Sequence, residues 1–144
     1  MEECLGCTLA NKEAPVHVIY ENDHLCCFLD HDPFNEGHVL ILPKGHYREL
    51  IEMEESLVNQ IMGAAKVISQ AVQRLYDPDG ITISQNGGVF SELDHFHLHV
   101  VPRFVQQDFQ DFYSEVPLEN EHLKEKLAET REKLAVAIEE EELK

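Results

Sequence analysis

The segment His95-Phe96-His97-Leu98-His99-Val100-Val101 alternates polar and apolar residues with a period of two. That is the period of an extended strand with one face turned to a core, because successive side chains leave opposite faces. The segment predicts a strand that buries Phe96, Leu98 and Val100 and gathers three imidazoles on its other face. Imidazoles two residues apart on a strand are separated by about 6.5 Å, too far to share one ion unless the strand bends. Each is therefore expected to do a different job.

The rest of the chain supplies a sheet for that strand and helices to cover it. Val16 to Tyr20 and Leu25 to Leu29, separated by the turn residues Glu21-Asn22-Asp23-His24, read as a hairpin. His38 to Pro43 reads as a third, largely buried strand that the proline stops. From Glu54, the residues Leu57, Val58, Ile61, Met62, Ala65, Ile68, Val72 and Leu75 recur at spacings of three and four, which predicts a long amphipathic helix. Asp77-Pro78-Asp79-Gly80 ends it, and a fourth strand starts at Ile81-Thr82-Ile83-Ser84. After residue 104 no period holds until Leu123, Leu127, Leu134 and Ile138 mark a C-terminal helix. Its last residues, Glu139 to Glu142, oppose the helix dipole and are expected to fray as a solvated tail. Phe109, Phe112 and Tyr113, in the aperiodic stretch, are expected to dock that helix, with substrate covering or a dimer surface as alternatives. The order is that of an α+β fold, and the sheet is expected to be antiparallel because the early connections are too short for crossovers.

Size and charge bound the function. The 144 residues suit one domain. With 28 acidic residues against 11 basic the net charge is −17, a field that repels phosphate polymers, so no nucleic-acid polymer is expected as a partner. No run approaches the roughly 18 apolar residues of a membrane span, and Met1-Glu2-Glu3 lacks the basic start of a signal peptide, so no membrane association is expected and the location is expected to be cytoplasmic. Of the four cysteines, Cys26 and Cys27 lie in an apolar run and read as small buried hydrophobes. Cys4 and Cys7 form a C-x-x-C, either half of a zinc site or an exposed pair of thiols. A neutral imidazole is nucleophilic near neutral pH and forms a labile phosphoramidate, so the histidine cluster suits covalent attack on phosphorus. The loop Ser84-Gln85-Asn86-Gly87-Gly88 offers an amide and a flexible backbone to phosphate oxygens.

The histidine run, continued by Pro102-Arg103, resembles the signature of the histidine triad (HIT) family of nucleotide hydrolases and transferases. The resemblance extends through Cys26-Cys27-Phe28-Leu29-Asp30, through Gly37 to His46 and through Asn86-Gly87-Gly88, and covers about residues 4–103. It implies one HIT-like domain over 1–144 with a five-stranded antiparallel sheet, a long central helix, and a variable segment and helix over 104–144. It also implies that His97 is the nucleophile attacking the α-phosphate, that His99 and Asn86 contact phosphate, that Asp30 holds the ribose hydroxyls and that Phe28 lies beside the nucleoside. Zinc-bearing members resemble this chain in an N-terminal C-x-x-C, a histidine after the third strand and the first triad histidine, which correspond to Cys4, Cys7, His46 and His95. Two thiolates and two imidazoles close a tetrahedron, as in a structural Zn²⁺ site, so one structural zinc per chain is expected and no organic cofactor.

The family commonly carries Gln and Ser or Thr four and three residues before the first triad histidine. Those positions hold Ser91 and Glu92 here, so the hydroxyl that usually helps the leaving group is missing from its place and a carboxylate stands near the phosphate. The implied activity is hydrolysis of a purine nucleotide, a phosphoramidate or dinucleoside polyphosphate, through a nucleotidyl-histidine. The alternatives are nucleotidyl transfer through the same intermediate and a zinc-stabilised nucleotide-binding module with little turnover. A symmetric homodimer is expected, since five strands leave an open edge for a second copy.

Overall fold

The computed structural model describes residues 4–113 and 116–144. Five strands, β1 (Val18–Glu21), β2 (Leu25–Leu29), β3 (Val39–Pro43), β4 (Gly80–Ser84) and β5 (Leu98–Arg103), form one sheet in the order β1-β2-β3-β5-β4. Every neighbouring pair is antiparallel. Four helices accompany them: α1 (Leu5–Ala10), α2 (Glu55–Tyr76), α3 (Glu121–Glu125) and α4 (Leu127–Glu142). The architecture is α+β, with the helix α2 inserted between β3 and β4.

Local chemistry accounts for the breaks. The Asn22 side chain accepts from the backbone N–H groups of His24 and Leu25 at 2.8 and 2.9 Å, closing the β1–β2 turn. At the end of α2, Asp77 adopts the left-handed conformation (φ 45°) and its N–H caps Gln73 O at 3.0 Å, with Pro78 barring continuation.

Both sheet faces are covered, which explains why β2 and β3 are buried along their whole length. Leu25, Cys27, Leu29, Val39, Ile41, Leu98 and Val100 pack against α2 and α4, on which Ile61, Ile68, Val72, Leu134 and Ile138 are buried. On the opposite face Cys26, Phe28, Leu40 and Leu42 pack with Ala10 of α1 and with Leu9 and Leu93. Cys26 and Cys27 are buried hydrophobes, as their setting in the apolar run predicts, and burial pushes the Cys26 thiol up to about 11.

Four expectations change. The strand carrying the histidines starts at Leu98, not His95, because Phe96 N–H donates to Tyr47 O at 2.7 Å in a loop contact instead of extending the ladder. His95 and His97 therefore precede the strand, and the three imidazoles do not share a strand face. The C-terminal helix is two helices, broken at Lys126. Its acidic end does not fray: α4 continues to Glu142, and Arg74 of α2 pairs with Glu140 and Glu141 at 2.9 and 3.5 Å. Finally, Phe112 does not dock the helix but rests on His38 and His99, with ring centroids 5.6 and 5.1 Å away. The short helix α1 had no periodic signal, since six residues hold less than two turns of pattern.

Candidate active site and metal centre

Two clusters of functional side chains lie on the sheet face opposite α2, on either side of His95-Phe96-His97. In the first, Cys4 and Cys7 come from α1, where the Cys4 side chain also accepts from Cys7 N–H as the N-cap. His46 follows β3, and the Phe96–Tyr47 backbone bond draws that loop against the approach to β5. The ligand atoms of Cys4, Cys7, His46 and His95 all lie within 4.8 Å of one another. Both Cys4 Sγ and Cys7 Sγ stand 3.5 Å from His95 Nδ1, and Cys7 Sγ is 3.3 Å from His46 Nδ1. Tetrahedral zinc with ordinary Zn–S and Zn–N bonds sets sulfur and nitrogen about 3.6 Å apart, so the donor set fits Zn²⁺ in type and spacing.

The tautomer of His95 fits as well. Its Nε2–H donates to Pro43 O at 2.8 Å, an atom that can only accept, so Nδ1 presents its lone pair to the thiols. Gly6 makes the approach of α1 possible: a Cβ there would stand 2.2 Å from His95 Cβ and 2.4 Å from Cγ.

The second cluster borders a cleft of about 740 Å³, within the range of small-molecule sites. His97, His99, Asn86 and Asp30 all line it. His97 is buried, and its Nδ1–H donates to the His95 carbonyl at 2.8 Å, which leaves Nε2 as the free, lone-pair nitrogen. His38 accepts from Phe34 N–H at Nδ1 (3.0 Å) and so carries its proton on Nε2, 2.9 Å from His99 Nδ1 and 3.5 Å from Asp30 Oδ2. His99, accepting at Nδ1, holds its own proton on Nε2.

Burial sets the charge state of these groups. It drives His38 well below the ordinary imidazole value, with the neighbouring His99 acting in the same direction. Burial and then His97 lower His99 to about 3. Burial pushes Asp30 up to about 6, against the Asp32 N–H that donates to its Oδ1 at 2.9 Å. At neutral pH both imidazoles are neutral and the Asp30 carboxylate is largely ionised, and Asp32, Glu92 and Asp111 are further acidic side chains of the lining. Among the described residues that line it, none is Lys or Arg.

The segment after β5 closes one wall. Asn35 and Gln107 bond reciprocally through their amides at 2.8 and 2.7 Å, the Arg103 guanidinium lies 3.8 Å over the Phe109 ring, and both Asp32 carboxylate oxygens accept backbone N–H groups of Leu118 and Glu119. These anchors place Phe112, Tyr113, Pro117 and Leu118 in the cleft wall.

Phe28 lies away from that wall: it is buried in the cluster with Leu40 and Leu42 and does not line the cleft. Glu92 is exposed and lines the cleft, where its charge adds to the upward push on Asp30, so a carboxylate does stand near the histidines as its place in the loop implies. Sequence reasoning passed over His38, whose signal was a lone polar residue two positions before Leu40, on the strand face that Phe28 and Asp30 also occupy. It also placed the aromatic residues after 104 elsewhere, because nothing local fixes where an aperiodic segment packs.

A family model described as HIT domain matches residues 11–106, two thirds of the chain. An uncharacterised HIT-like protein of Methanocaldococcus jannaschii is 38% identical over 104 residues, 70% of this chain and 79% of its own length. An adenosine 5′-monophosphoramidase of Saccharomyces cerevisiae is 31% identical over 102 residues, 69% of this chain and 62% of its own. Among solved structures, a Zn-bound histidine triad family protein from Mycobacterium smegmatis superposes with a TM-score of 0.77 at 28% identity, covering 98% of this chain and 96% of that one. With the signature histidines divided between a zinc-compatible donor set and a cleft, and the family model covering all three of them, the chain belongs to the histidine triad (HIT) family.

Proposed function

We propose that the protein hydrolyses a purine nucleotide at its α-phosphorus, acting on a phosphoramidate or a dinucleoside polyphosphate through a nucleotidyl-histidine on His97. One observation carries this reading: the His97 Nδ1–H to His95 O bond of 2.8 Å leaves Nε2 free in the cleft that Asp30, Asn86 and His99 also line. Nε2 attacks phosphorus, the new P–N bond forms as the bond to the leaving group breaks, and the leaving group departs with the electron pair and takes up a proton. Water then attacks the same phosphorus, releases the nucleoside monophosphate and restores the imidazole. His99 Nε2–H and the Asn86 amide donate to phosphate oxygens, while Asp30, ionised above about pH 6, accepts from the ribose hydroxyls.

One structural Zn²⁺ per chain, held by Cys4, Cys7, His46 and His95, supplies a cross-link and no chemistry at phosphorus, since four protein donors leave no open coordination position. A homodimer is supported by the open edge at β4, where Ile83 is 43% exposed, and by Met62 of α2 at 49%. No helix among the described residues is long and apolar enough to cross a membrane.

Quenching the protein with a labelled adenosine 5′-phosphoramidate tests the reading. A label on His97, lost in His97→Ala together with turnover, is expected. Turnover by His97→Ala at the wild-type rate, or a label on another residue, refutes it.

A further inference from the structure

Among the described residues the hydroxyls of Ser69, Ser84 and Ser91 are buried with no hydrogen-bond partner. Ser91 alone among them lines the cleft that contains His97. A buried hydroxyl that gives up water without a partner costs free energy, so such an atom in a native site calls for an explanation.

The backbone holds Ser91 where it is. Phe90 N–H donates to Gly87 O at 3.2 Å and Ser91 N–H to Gly88 O at 3.1 Å, winding the loop into a single tight turn. Gly88 takes a left-handed φ of 61° that this turn requires. Gly87 fits against the Glu49 carboxylate, which an added Cβ would approach to 3.0 Å. Beyond the turn Ser91 is extended (φ −82°, ψ 126°), so its side chain and that of Glu92 leave opposite sides of the chain. The hydroxyl is turned inward, Glu92 is exposed, and Leu93 packs with the buried cluster beneath the sheet. The buried polar group of this loop is therefore a neutral donor, while Glu92, one residue on, lines the same cleft from an exposed position.

We propose that Ser91 is a substrate-contacting residue whose hydroxyl donates a hydrogen bond to the phosphoryl group that His97 attacks. The assignment rests on the nucleotide reading above and adds to it a donor from the loop before the histidines. Since no Lys or Arg among the described residues lines the cleft, a neutral hydroxyl there adds a larger share of phosphate recognition than it would beside a cation. A hydrogen bond to a charged oxygen is worth about 10- to 100-fold in an equilibrium or rate constant.

The test uses the full-length, zinc-loaded protein with Ser91→Ala and Ser91→Thr, and reads binding as well as turnover. Calorimetry compares adenosine 5′-monophosphate with adenosine, and kinetics uses adenosine 5′-phosphoramidate. The expected result is that Ser91→Ala weakens the monophosphate about 10-fold or more while adenosine binding and the thermal midpoint stay as in wild type. Its kcat/KM falls by a similar or larger factor, and Ser91→Thr, which keeps the hydroxyl, recovers most of both. Equal monophosphate affinity and kcat/KM in wild type and Ser91→Ala overturn the proposal and leave the nucleotide reading standing. Equal losses in Ala and Thr also overturn it, because they assign the effect to packing. A wild type that binds neither ligand and turns over no nucleotide refutes the nucleotide reading itself, and the role of Ser91 with it.

Discussion

Stripping the metal centre, by chelation or by Cys4→Ser with Cys7→Ser, is expected to cost stability far more than chemistry. The four donors tie α1, the loop after β3 and the approach to β5, which are separated by 39 to 91 residues along the chain. A ligand that binds only the native state adds RT ln(1 + [L]/Kd), about 4 kcal/mol when free zinc exceeds its dissociation constant a thousandfold. Unfolding entropies near 2.1 cal/mol/K per residue give about 0.3 kcal/mol/K for 144 residues, so that stabilisation corresponds to about 13 °C in thermal midpoint. The His97 tautomer is held by a backbone carbonyl, and His95 has its own bond to Pro43 O, so the geometry at His97 is expected to survive removal of the metal. Differential scanning calorimetry of zinc-loaded, chelated and double-variant protein, paired with nucleotide turnover at 25 °C, measures both quantities. A midpoint lowered by about 13 °C with turnover changed by less than about threefold is expected. A midpoint indifferent to chelation, or turnover lost in proportion to zinc while the fold persists, refutes the reasoning.

Gly6→Ala forces a Cβ to within 2.2 Å of His95 Cβ, so α1 must lift away; weaker zinc retention on dialysis and a lower thermal midpoint are expected, and an unchanged midpoint contradicts the close packing. Stability should also fall below neutral pH. His99 binds its proton only near pH 3 when folded but near 6.5 when unfolded, so the unfolded state binds more protons in that window and about 2 kcal/mol is lost by pH 5. His38, lowered in the same direction, adds to the loss. Asp30, raised to about 6, works oppositely: it is protonated first in the native state and returns about 1 kcal/mol over the same drop. Urea unfolding at pH 7 and pH 5 should therefore show a net loss that is smaller in His99→Gln, and an equal loss in the two proteins refutes the assignment to His99.

The parts of the fold legible in sequence are those whose pattern repeats. The α2 face recurs over six turns, and Ile61, Ala65, Ile68 and Val72 are buried as its spacing requires, while Met62 and Leu75 fall on the rim. The set Cys4, Cys7, His46 and His95 was legible only through the resemblance to zinc-bearing members, since the C-x-x-C by itself fits an exposed pair of thiols as well, and the four side chains do converge. What stayed hidden depends on contacts between distant segments. Nothing in Phe109 to Tyr113 foretells that Arg103 and Asn35 will turn that stretch over the cleft. The first rung of β5 was misplaced for the same reason: alternation continues through His95 and Phe96, but the hydrogen-bond partner of Phe96 N–H is Tyr47 O, which no local pattern announces.

That displaced start is also what separates the three histidines chemically. Had His95 and His97 stood on a regular ladder, their backbone groups would have been spent on neighbouring strands and their rings would have faced one common environment. Outside the ladder, the His95 carbonyl is free to accept from His97 Nδ1, and the His95 ring can turn its Nε2–H to Pro43 O. His95 then serves two clusters with different atoms, its imidazole against the thiols of Cys4 and Cys7 and its peptide oxygen holding His97 Nδ1–H. His99, within the ladder and paired with Leu40 and Ser84, receives its proton instruction from His38 instead. Two carbonyls and one amide N–H thus fix the protonation pattern of four imidazoles, and none of these backbone partners depends on side-chain identity. A pattern set by the backbone tolerates exchange of the surrounding side chains so long as the path from Tyr47 to Leu98 is kept, so the His97 tautomer is expected to persist whether or not the neighbouring Cys4, Cys7, His46 and His95 set is loaded with zinc.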